Sequence, residues 1–186
     1  MMKKACVLLA PGCEEMEAVI LLDVLRRGGI ETVSAGLVSG VFAASRDVKL
    51  EADVPLDDLP DAKDFDLLVL PGGLPGTEAL RDDPRVRDLL LHYFQTPGKR
   101  VGTICAAALV LDAHGLLDGR RFTCYPGVAD KIQGGTYVKE RVVDDGNLIT
   151  SQGPGTAMAF ALKLVELLTD TETRNQVADD MLFAGK

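Results

Sequence analysis

Short apolar runs alternate with longer amphipathic segments along nearly the whole chain, and few folds accommodate that rhythm. "ACVLLA" (Ala5 to Ala10), "IETVSAGL" (Ile30 to Leu37), "DFDLLVL" (Asp64 to Leu70) and "KRVGTI" (Lys99 to Ile104) are too short for helices and too continuously apolar for surface strands. Between them, Glu14 to Arg27 carries Met16, Val19, Ile20, Val24 and its leucines at helical spacing and is closed by Gly28 and Gly29, while Arg85 to Phe94 follows Pro84 as a surface helix. Strand and helix in strict succession predict βαβ units around a mostly parallel sheet. The near-continuous Asp64 to Leu70 run is the pattern of a strand buried on both faces.

The remaining segments fit as additions. Val38 to Asp53 alternates enough for a β-hairpin appended to the sheet. "DGRRFTCYPG" reads as a turn and a short strand, and "RVVDDGNLIT" as two strands about an Asp145-Gly146 turn. "SQGPGTAMAFALKLVELLT" is a glycine-rich turn feeding a helix apolar on almost every side, which is either central or covered by a partner subunit. "TETRNQVADDMLFA" is a last helix. No repeat or linker interrupts residues 1–186, which read as one domain.

A net charge of -8 argues against binding a phosphate backbone, so nucleic acid is not the expected partner. The opening "MMKKACVLLAPG" imitates a secretory signal, but its apolar stretch is too short and runs into Pro11, Gly12 and the acidic Glu14 and Glu15. No run approaches the roughly 18 apolar residues that span a bilayer. A cytoplasmic protein without membrane contact is expected. Cys6, Cys13, Cys105 and Cys124 form no C-x-x-C pair and have no histidine cluster, so no metal site is signalled and the thiols are expected to be free.

Three stretches could carry chemistry. In "VGTICAAAL", Cys105 lies between a strand and a helix that Ala106 to His114 would form, the position of a nucleophile elbow. A thiol there feels unpaired N–H groups and the positive end of the helix dipole, both of which favour thiolate. A small buried hydrophobe is the competing reading. The "LPGGLPG" loop, Leu70 to Gly76, ends the presumed central strand, and its glycines would let backbone N–H groups approach a ligand as an oxyanion hole requires, unless it is a plain turn. "PGCEEMEA" follows the first strand and therefore opens onto the same sheet edge. One of Glu14, Glu15 and Glu17, turned inward against the thiol, would keep its proton, because desolvation and a neighbouring anion both raise a carboxyl pKa. Cys13, beside these acids, is either a resolving thiol or a small loop residue. His114 is about 13 Å of helix rise from Cys105 and His92 lies on a charged surface helix, so no Cys-His dyad can be assembled and peptidase or amidotransferase action is disfavoured.

Taken in order, "APGCEEMEAV", "RRGGI", "SRDV", "VLPGGLPG", "ICAAA", "YPGVADK" and "TSQGPGT" resemble the ThiJ/PfpI superfamily, and most closely its small dimeric DJ-one-like branch, over nearly the whole chain. The resemblance implies a flavodoxin-like three-layer α/β/α sandwich with Cys105 as the reactive cysteine on a strained elbow and Glu17 as the neutral acid bonded to it. It places the backbone oxyanion donors at Gly72, Gly73 and Ala106, and site-lining roles at Tyr125, Pro126, Gly153, Pro154 and Cys13. Arg46 corresponds to an arginine reaching the glutamate from the other subunit and Arg27 supports it, which implies a homodimer meeting through the hairpin and first helix. Many relatives carry a histidine where this chain has Tyr125, and tyrosine is a poor base at neutral pH. The implied activity is cofactor-independent glyoxalase or deglycase action on methylglyoxal, or on its adducts with protein, in an oxidative-stress setting. The competing implication is a non-enzymatic sensor or redox-regulated chaperone working through a Cys105 sulfinate.

Overall fold

The computed structural model describes residues 2–59 and 62–183. A seven-stranded sheet runs through it in the order β10-β11-β7-β6-β1-β2-β5, formed by β1 (Lys4–Leu9), β2 (Glu31–Gly36), β5 (Val54–Pro55), β6 (Leu67–Leu70), β7 (Arg100–Ile104), β10 (Val142–Asp145) and β11 (Leu148–Ser151). Every pairing is parallel except the β10–β11 hairpin at one edge. The pleat explains the continuous apolar runs, since successive side chains point to opposite faces. Cys6, Leu8, Leu68 and Leu70 enter one core, whereas Val7, Leu9, Leu67 and Val69 enter the other.

Helices cover both faces. α2 (Leu74–Asp82), α3 (Pro84–Gln95) and α4 (Ala108–Ala113) contribute Leu80, Val86, Leu90 and Leu111 to the first core. α1 (Glu15–Arg27), α6 (Ala157–Leu168) and α7 (Thr171–Asp180) contribute Leu21, Leu25, Phe160, Val165 and Val177 to the second. The layered α/β/α sandwich expected of a flavodoxin-like chain is what forms. α6 is greasy on most sides because the sheet, α1 and α7 all pack against it within one chain.

Four details differ from the sequence reading. The Leu70 to Gly76 stretch is only partly a loop: α2 begins at Leu74, with Pro75 inside its first turn, where a missing N–H costs nothing. Val54–Pro55 adds an edge strand beside β2, where proline gives up no interior ladder bond. The appended hairpin, β3 (Phe42–Ala43) with β4 (Lys49–Leu50), is a separate two-stranded unit rather than an extension of the main sheet. Backbone bonds from Gly12 to Ala43 (2.8 Å) and from Ser45 to Cys13 (2.8 Å) tie it to the loop after β1. On α1, Met16 and Val19 are 56% and 50% exposed, because the buried stripe runs through Glu17, Ala18, Leu21, Val24 and Leu25. A small parallel pair, β8 (Arg121–Phe122) with β9 (Thr136–Tyr137), completes the strands, and a single helical turn, α5 (Pro126–Ala129), lies between them. Of the expected last helix, Ala184 lies outside the described residues. Among the described residues no helix is long and apolar enough to cross a membrane.

Candidate functional site

The site forms where β1, β6 and β7, three adjacent strands, end at one edge of the sheet. After β7 the chain must reverse into α4 within one tight turn spanning Cys105–Ala107. Cys105 takes φ of +62°, a left-handed conformation that costs a side-chain-bearing residue roughly 1 kcal/mol or more. The buried methyl groups of Ala106, Ala107 and Ala108 permit the turn where larger side chains would crowd it. The result is the expected elbow, with Cys105 half-buried and facing a cavity.

Glu17 reaches this thiol from α1. Glu14 caps that helix, its Oε2 accepting from the Glu17 N–H at 2.7 Å, and this holds Glu17 one turn in with its side chain turned toward the sheet. The Glu17 carboxyl is completely buried, and its Oε2 accepts from the Gly72 N–H at 2.7 Å. Its second oxygen, Oε1, is buried without a hydrogen-bond partner, and the carboxyl interacts with the Cys105 thiol. Gly72 sits against both groups: a Cβ on it would stand 2.5 Å from Cys105 Cβ, 2.9 Å from Glu17 Oε2 and 3.0 Å from Cys105 Sγ. The N–H groups of Gly73 and Ala106 point at the sulfur, and Gly73 does so with φ of +86°.

These placements revise some expected roles. Gly72 cannot donate to an oxyanion, because its N–H is taken by Glu17; Gly73 and Ala106 keep that geometry. Cys13 does not line the cavity. It is fully buried beneath the loop, its backbone bonded to Ala10 and Ser45, and burial pushes its thiol up to about 11. Cys6 and Cys124 are equally buried and pushed up to about 12. Tyr125 and Pro154 line the cavity, whereas Pro126 and Gly153 line a neighbouring depression. Arg46 stands at the rim of its own chain's cavity, on a turn held by the buried Glu15, which accepts from Ser45 Oγ (2.8 Å) and the Arg46 N–H (2.7 Å). Within the chain Arg27 pairs with Asp23 at 2.7 Å on the exposed side of α1. Neither histidine lines the cavity.

The cavity encloses about 580 Å³. Glu14, one of the three acids considered from the sequence, also lines it, as do Leu74, Pro75, Val128 and Lys131, which were not singled out. Lys131 closes the "YPGVADK" motif and Leu74 lies within "LPGGLPG", so the positions were visible; only α2 and α5 show that they turn inward.

Burial first, and the nearby Glu14 charge after it, raise the Glu17 carboxyl to about 7, against the opposing bonds from Gly72 and Cys105. Burial and the adjacent Glu17 carboxylate together push the Cys105 thiol up to about 12, and the Gly73 and Ala106 N–H groups oppose this. A thiol acidified by its helix terminus alone is therefore not what forms, since burial outweighs the dipole. Two acids in contact in so dry a site do not both ionise readily, and their titration belongs to the pair. With the proton on Glu17 the carboxylate's effect on the thiol disappears, and the sulfur gains a third donor.

Comparison with known proteins matches residues 3–167 to the DJ-1/PfpI family. Protein dj-1beta of Drosophila melanogaster is 46% identical over 99% of both chains, and its crystal structure superposes with a TM-score of 0.94, covering 99% of this chain and 100% of that one. The glutathione-independent glyoxalase DJR-1.2 of Caenorhabditis elegans is 38% identical over 98% of this chain and 97% of its own. A structure of oxidized Toxoplasma gondii DJ-1 is 34% identical, with a TM-score of 0.92 over 98% of this chain and 99% of that one. With these motifs, this topology and this extent of similarity, the chain belongs to the DJ-1/PfpI family.

Proposed function

We propose that this protein is a cofactor-independent glyoxalase acting on methylglyoxal, or on its adducts with protein, through Cys105. The observation that carries the reading is the contact of a buried, proton-retaining Glu17 with the one cysteine side chain that faces the cavity. The Cys105 sulfur adds to the aldehyde carbon, a C–S bond forms as the C=O π bond breaks, and the oxygen is held by the Gly73 and Ala106 N–H groups. Glu17 gives its proton to that oxygen, then as carboxylate takes the C1 proton and returns it to C2 while the hydroxyl proton passes from the C1 oxygen to the C2 oxygen, which converts the hemithioacetal to a lactoyl thioester. Water cleaves the C–S bond, giving lactate and restoring the thiol, so methylglyoxal plus water balances to lactate. Tyr125 is outside this proton path.

The name of the Caenorhabditis elegans relative supports this reading, and lactate formation tests it. Wild type should release lactate from methylglyoxal well above free-thiol background, and Cys105→Ser and Glu17→Ala should not. Activity no higher than background in the wild type removes the reading.

Peroxide sensing is the second reading, favoured because Cys6, Cys13 and Cys124 are sealed while Cys105 opens to a cavity. Thiolate plus two equivalents of peroxide gives sulfinate and two waters. Mass spectrometry after mild peroxide should find two added oxygens on Cys105 before any other cysteine.

A homodimer in the cytoplasm completes the proposal. Met16 and Val19 on α1, with Val41 and Val48 around the hairpin, expose apolar surface that a second copy would cover. Sedimentation of wild type as a dimer and of Val19→Glu as a monomer is the expected result.

A further inference from the structure

Beside the main cavity lies a shallower hollow of about 210 Å³, floored by the turn from Gln152 to Thr156. The two share Tyr125 and Pro154 as lining residues. The Tyr125 ring stands between them. Its Cε1 edge lies over Gly127, which lines the main cavity, so closely that a Cβ there would sit 2.9 Å away. Its Cδ2 edge faces Gly153, which lines the hollow, at 3.6 Å from an ideal Cβ position. The ring is thus slotted between two glycines, half exposed, and borders both hollows.

The hollow is pre-formed. Thr156 Oγ1 accepts from the Gly153 N–H (3.0 Å), donates to the Gly153 carbonyl (2.9 Å) and contacts Ser151 Oγ (2.7 Å), so its floor keeps its shape without a ligand. Its chemistry differs from that of the main cavity. Arg46, Lys131 and Glu14 line the main cavity, whereas no charged side chain lines the hollow, whose walls are Tyr125, Pro126 and Pro154. A charged tail would lose hydration there and gain no partner, while a planar apolar group would lie against an aromatic ring and two prolines. The main cavity is also far larger than a three-carbon aldehyde needs, since ligand pockets of about 300–1,000 Å³ ordinarily enclose drug-sized molecules.

We infer that this hollow is a substituent subsite, and that the protein takes 2-oxoaldehydes bearing an aryl or comparable planar apolar group, the carbonyl at Cys105 and the group across Tyr125. This rests on the proposed reading of Cys105 as the group that meets a carbonyl carbon. Tyr125 becomes a specificity residue that touches substrate without moving a proton.

The test measures substrate preference with and without turnover. Phenylglyoxal and methylglyoxal are compared by kcat/KM. In parallel, Cys105 alkylation by phenacyl bromide and by iodoacetamide is compared, each rate divided by that of N-acetylcysteine. Wild type should prefer the aryl member in both assays by about fivefold. Gly155→Leu fills the hollow from a position where an added Cβ meets nothing within 4 Å, and it should bring both ratios to about one, as should Tyr125→Ala. Gly155→Ala and Tyr125→Phe should keep the preference, and circular dichroism checks that every variant is folded. Aryl ratios near one in wild type, or unchanged by Gly155→Leu, overturn the subsite. Absence of lactate from methylglyoxal overturns the glyoxalase reading instead, and the alkylation ratios still decide the subsite.

Discussion

Cys13 and Cys105 occupy equivalent places, each in the segment that follows a central parallel strand at the same edge of the sheet, yet one thiol is sealed and the other opens to a cavity. The difference lies in which residue carries the awkward backbone angle. After β1, Gly12 takes the left-handed turn with φ of +79°, leaving Cys13 free to point inward. After β7 there is no glycine at the turn. Cys105 itself takes φ of +62°, and its side chain is directed toward the cavity. Burial raises both thiols, so acidity alone does not separate them; Cys105 differs in having Gly73, Ala106 and Glu17 around its sulfur.

Removing the partner of the exposed thiol should do most damage. Glu17→Gln keeps the shape of the carboxyl but cannot pass a proton, and kcat for lactate formation should fall by about 10²- to 10⁴-fold. A smaller loss would mean that the two thiols differ only in access.

The pH dependence of stability sharpens the same contrast. Glu17 holds its proton to about 7 when folded and to about 4.5 when unfolded, so between those values the unfolded chain has released a proton that the native one retains. Stability is greatest below the lower value and declines as pH rises to about 7, by about 3 kcal/mol. Urea midpoints across that window should fall in wild type relative to Glu17→Gln, and parallel curves would contradict the buried acid.

Gly72→Ala tests the close approach without changing backbone strain, since Gly72 does not have a positive φ. Its Cβ would collide with Cys105 and Glu17, and the expected destabilisation is about 1–3 kcal/mol by urea denaturation, together with loss of activity. The smallest effect belongs to Cys13→Ser. Lactate formation should stay within about twofold of wild type, and iodoacetamide should label Cys105 alone in the native protein.

Much of this architecture is legible in the residues. β1, β6 and β7 announce themselves because strands buried on both faces must be apolar throughout, and Cys105 before three alanines leaves little but a tight strand-to-helix turn. Helix geometry sets Glu15 apart from Glu14 and Glu17, which share a face, but does not choose which acid meets the thiol; contacts with Gly72 and Ser45, far away in sequence, assign each its place. α2 was hidden behind a Pro-Gly signature. Its Gly76 is explained by packing, since a Cβ there would stand 2.6 Å from the Cys13 nitrogen. Met16 and Val19 fit an apolar stripe by composition, and only the position of α6 shows that they face away from it.

The most direct test is the thiolate absorbance near 240 nm, taken as the difference between wild type and Cys105→Ser from pH 5 to 10. The reactive state proposed for Cys105 carries the charge on sulfur with the proton kept on Glu17, so one thiolate should appear with a midpoint below the value of about 8.5 for a free thiol, against the upward push of burial. A midpoint above about 9 would put the charge on Glu17 and contradict the account.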